Sequence, residues 1–114
     1  MRSTVDGDVL AALADPTRRT LLESLLRGGA STATGLAAGL PVTRQAVGKH
    51  LAVLERAGLV LASRVGRESR YEPRTAPLTD TASWLTRIAA EWDERLARIK
   101  SLAEDPDHPV GPAP

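Results

Sequence analysis

Gln45, Lys49, Ala52 and Arg56 recur at spacings of four, three and four, so at about 100° per residue they share one face of a helix. That face suits the recognition of nucleic-acid edges. A glutamine can exchange two hydrogen bonds with an adenine edge, and a lysine can reach guanine or phosphate. An alanine permits close approach or touches a thymine methyl. No acid lies among the four, and Glu55 falls on the flank. The opposite face carries Val47, Leu51 and Leu54, an apolar stripe meant for a core. Val42 to Ala57 therefore reads as a helix with one face for the protein and one for a DNA major groove. A solvated surface helix has the same apolar stripe and charged back, so the flanking segments decide between them.

Those segments look built to position this helix. Thr43 is placed to cap its start. Upstream, Asp8 can cap a short first helix over Val9 to Ala14, with Val9, Leu10 and Leu13 on one side. Asp15-Pro16 marks a boundary, because proline disfavours helix just before itself and fits the first turn of the next helix. The second helix is expected from Pro16 to Arg27, burying Leu21, Leu22, Leu25 and Leu26 and stopping at Gly28-Gly29. Residues 29–42 carry no charge. Within them Ser31 or Thr32 can cap a third helix, Ala33 to Ala38, presenting Leu36, Ala37 and Leu40 inward, before a turn at Gly39 and Pro41. A short helix, a tight turn and a basic helix make a helix-turn-helix.

Downstream, Leu59 to Val65 and Ser69 to Pro73 are strands joined by a turn around Gly66. Their arms carry Arg64, Arg67, Arg70 and Arg74. A basic hairpin after such a helix fits a phosphate backbone or a minor groove, although an ordinary hairpin also has a solvated tip. Pro77 and Thr79 then introduce a long last helix. Its positions Leu85, Ala89, Trp92, Leu96, Ile99 and Ala103 follow spacings of four, three, four, three and four, a heptad seam that Trp84 and Ile88 widen. So long a seam predicts a partner helix from a second copy, with packing against Val9, Leu10 and Leu13 as the intrachain alternative. Residues 105–114 hold four prolines in ten residues and are expected to be disordered.

Composition sharpens the reading. The net charge of the 114 residues is only +1, but residues 43–74 carry seven Lys/Arg against three acids, and residues 75–114 four against seven. The positive charge is thus gathered where the helix and hairpin lie. There is no cysteine, which excludes disulfides and thiolate metal sites, and the two histidines, His50 and His108, stand apart. No cofactor or metal is expected. No nucleophile–base pair or phosphate-cradling glycine loop appears, so an enzyme is not expected. No apolar run is long enough for a membrane span or a signal peptide, and a cytoplasmic protein is expected.

The segments LADPTRRTLLESL, VTRQAVGKHLAVLERAGLV and GRESRY resemble the ArsR-type winged helix-turn-helix repressors, and the resemblance covers roughly Val9 to Ala103. It implies a mainly α fold with a small β-hairpin wing, and a homodimer held by the first and last helices. It also implies a fourth helix that reads double-stranded operator DNA. On this chain the DNA-binding role falls on Thr43, Arg44, Gln45, Lys49 and His50, and on Arg64, Arg67 and Arg70 in the wing. The dimer interface falls on Val9, Leu10 and Leu13 with Leu85, Ile88, Ala89, Trp92, Leu96 and Ile99. Gly48 departs from the family, which usually has serine there. A second departure is the lack of the cysteine pairs or His/Asp clusters through which many members sense metals. The sequence thus predicts one domain over residues 8–104, a dimeric DNA-binding repressor with no cysteine sensor and an effector left open. The alternative is a helical protein-interaction module that has lost DNA binding, for which Lys49, Arg64, Arg67 and Arg70 together have no use.

Overall fold

Three threonine and aspartate caps set the helical framework. The computed structural model describes residues 7–104. Helix α1 (Gly7–Leu13) leads through a bend into α2 (Pro16–Gly28). Asp15 caps α2, its Oδ1 accepting the Arg18 N–H at 3.0 Å, and Pro16 occupies the first turn. Helix α3 (Ala33–Ala37) is capped by Thr32, whose Oγ1 accepts the Gly35 N–H at 3.1 Å. Helix α4 (Arg44–Arg56) is capped by Thr43, whose Oγ1 accepts the Ala46 N–H at 3.0 Å. Each cap satisfies one backbone donor that the first helical turn leaves orphaned. Glycines close the other ends of α2 and α4: Gly29 and Gly58 adopt φ of 84° and 79°, a region open to a residue without Cβ.

The core forms where the stripes of these helices meet. Leu21 and Leu25 of α2, Val47, Leu51 and Leu54 of α4, and Leu59 are all fully buried, joined by Val9, Leu22 and Leu36. Leu26, expected inside, is 44% exposed. At about 100° per residue it lies at the edge of the stripe that Leu21 and Leu25 centre, and its face of α2 turns to solvent. Asp8 does not cap α1, which begins one residue earlier; it sits in the first turn, where a carboxylate suits the helix dipole.

Strands β2 (Val60–Val65) and β3 (Glu68–Pro73) pair antiparallel, with Val65 opposite Glu68, leaving Gly66 and Arg67 as a two-residue loop. Gly66 has φ 62° and no other residue described in this loop has positive φ, the arrangement of a II′ turn. A short strand, β1 (Ser31–Thr32), pairs with β3 through Ser31–Tyr71 and Thr32–Arg70, giving the order β1-β3-β2. The hairpin is therefore stitched to the start of α3, and the fold is mainly α with a small antiparallel sheet.

Helix α5 (Ala76–Glu104) begins with Pro77 in its first turn. Its start belongs to the unit numbered 1–81; the remainder belongs to a second unit, 82–114. In the first unit Leu78 packs on the core and buried Thr81 donates its hydroxyl to the Pro77 carbonyl at 2.8 Å. In the second, Leu85, Ile88, Trp92, Leu96, Ile99 and Leu102 are all exposed. The Pro-rich segment 105–114 lies outside the described residues. Among the described residues no helix is long and apolar enough to cross a membrane.

Candidate nucleic-acid interface

Helix α4 turns the two halves of its sequence in opposite directions. Val47, Leu51 and Leu54 are fully buried, whereas Arg44, Gln45, Lys49 and Arg56 are exposed and Ala52 is half-buried between them. Arg44, Gln45 and Lys49 make no side-chain hydrogen bond or ion pair with any described residue. A cationic and amide face left unpartnered has its hydrogen-bonding capacity free for a ligand. Thr43 differs: its hydroxyl oxygen is already accepting at the cap, which leaves the O–H to donate.

The wing contributes unequally. Arg64 and Arg67 are exposed and make no side-chain hydrogen bond or ion pair with any described residue, as on α4. Arg70 donates from Nη2 to the Ala30 carbonyl at 3.3 Å, so part of its guanidinium is spent holding the hairpin beside β1. Arg67, Arg44 and Gln45 converge on one cleft of about 310 Å³ between the amino ends of α3 and α4 and strand β3. Thr34, Ser69 and Tyr71 also line it. Lys49, Arg64 and Arg70 are not part of its lining. Glu68, which nothing in the sequence singles out for binding except its place between Arg67 and Arg70, also lines the cleft.

Gly48 lines the same cleft, and a Cβ built there meets nothing within 4 Å. No close approach requires a glycine at this position. Glycine inside a helix costs about 1 kcal/mol relative to alanine, so Gly48→Ala is expected to raise the unfolding free energy by about that much. Urea denaturation measures it, and a loss of stability in the variant would show that α4 needs the extra backbone freedom.

His50 lies half-buried on the flank of α4, with Nδ1 3.4 Å from Nη1 of Arg18. Asp15, beside the same guanidinium, has its carboxyl held below the usual range. The Arg18 backbone N–H that it accepts is the main cause; burial works in the opposite direction, and the Thr17 N–H and the Arg18 charge add to the lowering.

Among the described residues no group of three or more His, Cys, Asp or Glu side chains is placed to hold a metal ion. The sequence has no cysteine, and His50 turns a ring nitrogen to a cation.

The residues assigned to an interface between copies fall in different environments. Val9 is 2% exposed and belongs to the core of its own chain, so it is not available to a partner. Leu13 packs partly on that core, whereas Leu10 is exposed. Leu85, Ile88, Ala89, Trp92, Leu96 and Ile99 are exposed on one helix.

Comparison with known proteins agrees with this geometry. The family model described as a helix-turn-helix domain matches residues 13–61. The chain is 32% identical over 90 residues to the transcriptional repressor SdpR of Bacillus subtilis, which covers 79% of this chain and 99% of that protein. It is 39% identical over 99 residues to a probable mercury resistance operon repressor of Streptomyces lividans, covering 74% of this chain and 78% of that one. Among solved structures, an ArsR-like transcriptional regulator from Rhodococcus sp. RHA1 superposes with a TM-score of 0.77 at 50% identity, over 87% of this chain and 92% of that chain.

Proposed function

The chain belongs to the ArsR family of winged helix-turn-helix transcriptional regulators, and from that premise we propose that it is a homodimeric repressor that occupies operator DNA in the cytoplasm. The observation that carries this is the unpartnered face of α4, with Gln45 and Lys49 exposed opposite a fully buried stripe. Gln45 and Lys49 read base edges from the major groove, and Thr43 and Arg44 hold the adjacent phosphates at the amino end of the helix. Arg64 and Arg67 contact the backbone from the wing, and Arg70 does so with the part of its guanidinium not bound to Ala30. These contacts position the protein, and only the base contacts discriminate sequence. Release from the operator does not run through cysteine ligands, since these 114 residues contain none.

Two apolar strips support the homodimer, each within its own unit: Leu10 with the exposed part of Leu13 on α1, and Leu85, Ile88, Ala89, Trp92, Leu96 and Ile99 on α5. A partner copy related by a twofold axis presents a second α4 to a second half-site about one helical turn away.

Mapping the bound sites across the genome supplies the operator, and Gln45→Ala then tests the reading face. Base preference at one position in each half-site is expected to relax by about 1–3 kcal/mol, the worth of one bidentate contact. An unchanged preference profile with intact affinity would remove Gln45 from the reading face.

A further inference from the structure

Arg18 belongs to the first turn of α2, yet its side chain leaves that helix. Nε donates to the Ala12 carbonyl at 2.8 Å and Nη2 to the Ala11 carbonyl at 3.1 Å. These carbonyls stand in the last turn of α1, beyond the helix's own i+4 donors, and that of Ala11 also accepts the Ala14 N–H at 3.2 Å. Neighbouring Arg19 donates to the Leu13 carbonyl at 2.6 Å, so two arginines close the end of one helix. The remaining arm of Arg18, Nη1, lies 3.9 Å from Asp15 Oδ2 and 3.4 Å from His50 Nδ1, on a helix 32 residues further along. The Arg18 side chain is 19% exposed. A guanidinium can only donate, so His50 Nδ1 accepts, and this pairing assigns the ring proton to Nε2.

We propose that Arg18 and His50 are positioning residues for the reading helix: the guanidinium, anchored on the end of α1, fixes the rotation of α4 through His50 Nδ1. This rests on α4 being the helix that reads DNA. It reassigns His50, which acts through Arg18 and not on the DNA.

Packing alone defines that rotation loosely. Val47, Leu51 and Leu54 hold α4 to the core, but apolar burial is non-directional. A hydrogen bond is directional, and this one lies on the flank, off the buried stripe, where it resists turning of the helix about its axis. A rotation of about 10° moves an atom about 5 Å from the axis by about 1 Å. A binding constellation tolerates displacements of about 0.5 Å, so Gln45 and Lys49 lose their base contacts before the helix leaves the core. Gly48, two residues from His50, makes the helix locally softer and the outside anchor more necessary. The loss should therefore appear in sequence discrimination and not in general DNA affinity, which rests on phosphate charge.

Four substitutions in the full chain test this, each titrated with the operator and with a random duplex at a temperature well below unfolding. His50→Asn sets an amide oxygen near the position of Nδ1, His50→Gln sets its amide near that of Nε2, and His50→Leu supplies neither. Leu and Gln are expected to lower the operator-to-random affinity ratio about tenfold, the scale of one hydrogen bond to a charged group, while Asn stays near wild type. Asparagine is the poorer helix former of the two amides, so an advantage for Asn cannot come from helix stability. Arg18→Lys, which loses the fork, should reproduce the loss and add nothing to His50→Leu. Random-duplex affinity should not change. Asn doing no better than Gln would overturn the assignment, and rescue by Gln alone would place Nε2 on the DNA. Full additivity of Arg18→Lys with His50→Leu would overturn it as well. If Leu or Lys does not fold, the comparison of Asn with Gln decides alone. A wild type with no preference among sequences would overturn the DNA reading itself and this assignment with it, whereas a preference indifferent to all four substitutions would overturn this assignment only.

Discussion

Replacing Leu51 by alanine is expected to lower the unfolding free energy by about 2–5 kcal/mol, the range for truncating a buried leucine. Leu51 is fully buried on the inner face of α4, in one cluster with Leu21, Leu25, Leu54 and Leu59. The cost has two parts, the lost transfer of the side chain from water and the cavity left behind. Domains of this size have about 5–15 kcal/mol of total stability, so the variant sits close to its threshold. In the proposed function Leu51 also presents the reading face, since Gln45 and Lys49 stand on the far side of the same helix. Binding to operator and to random duplex should accordingly fall together as the variant unfolds, unlike the selective loss expected from Gln45→Ala. Urea denaturation followed by circular dichroism gives the free energy. A change below about 1 kcal/mol would mean that the site collapses freely and that α4 is held by other contacts.

The parts of this structure that local chemistry decides were legible in the sequence. Thr43 caps the helix expected of it, and of Ser31 and Thr32 it is Thr32 that caps α3, because a cap needs only one side-chain oxygen and a backbone N–H three residues on. The buried stripe of α4 and the outward Gln45 and Lys49 follow from helical periodicity alone. The hairpin turn follows from the freedom of Gly66. What escaped is non-local. The two-residue strand β1 exists only because Tyr71 and Arg70 arrive beside Ser31 and Thr32, and two residues carry no periodicity of their own. The approach of Arg18 to His50 depends on how α1, α2 and α4 pack, so no periodicity in the sequence shows it. Val9 was assigned to a partner because its pattern shows an apolar face without showing what covers it. Of the candidate site, residue types and faces were legible, but the convergence of Arg44, Gln45 and Arg67 on one cleft with Glu68 required the hairpin in place.

Trp92→Ala is expected to shift the protein from dimer toward monomer and to weaken operator binding far more than non-specific binding. Leu85, Ile88, Trp92, Leu96, Ile99 and Leu102 follow one another at spacings of three or four, and Trp92 is 56% exposed in the single chain. Six roughly half-exposed apolar side chains along one helix are the kind of patch that marks an interaction site, and their period is that of a helix made for another helix. Trp92 stands near the middle of the strip, where the residues that dominate an interface gather. Truncating such an aromatic costs about 2–4 kcal/mol of association, or about 30- to 1,000-fold in the dimer constant. The asymmetry between the two kinds of DNA binding follows from what each needs. One α4 reaches only a few base pairs, and phosphate contacts carry no sequence information. In the proposed homodimer, specificity depends on two copies spanning half-sites about 10 base pairs apart, whereas a monomer keeps its own Arg and Lys for any duplex. Sedimentation and operator titration on one preparation read both effects. If the unaltered protein sediments as a monomer at micromolar concentration and binds a palindromic operator without cooperativity, the dimer is wrong. If Trp92→Ala stays dimeric with its operator preference intact, the seam of α5 is not where the copies meet.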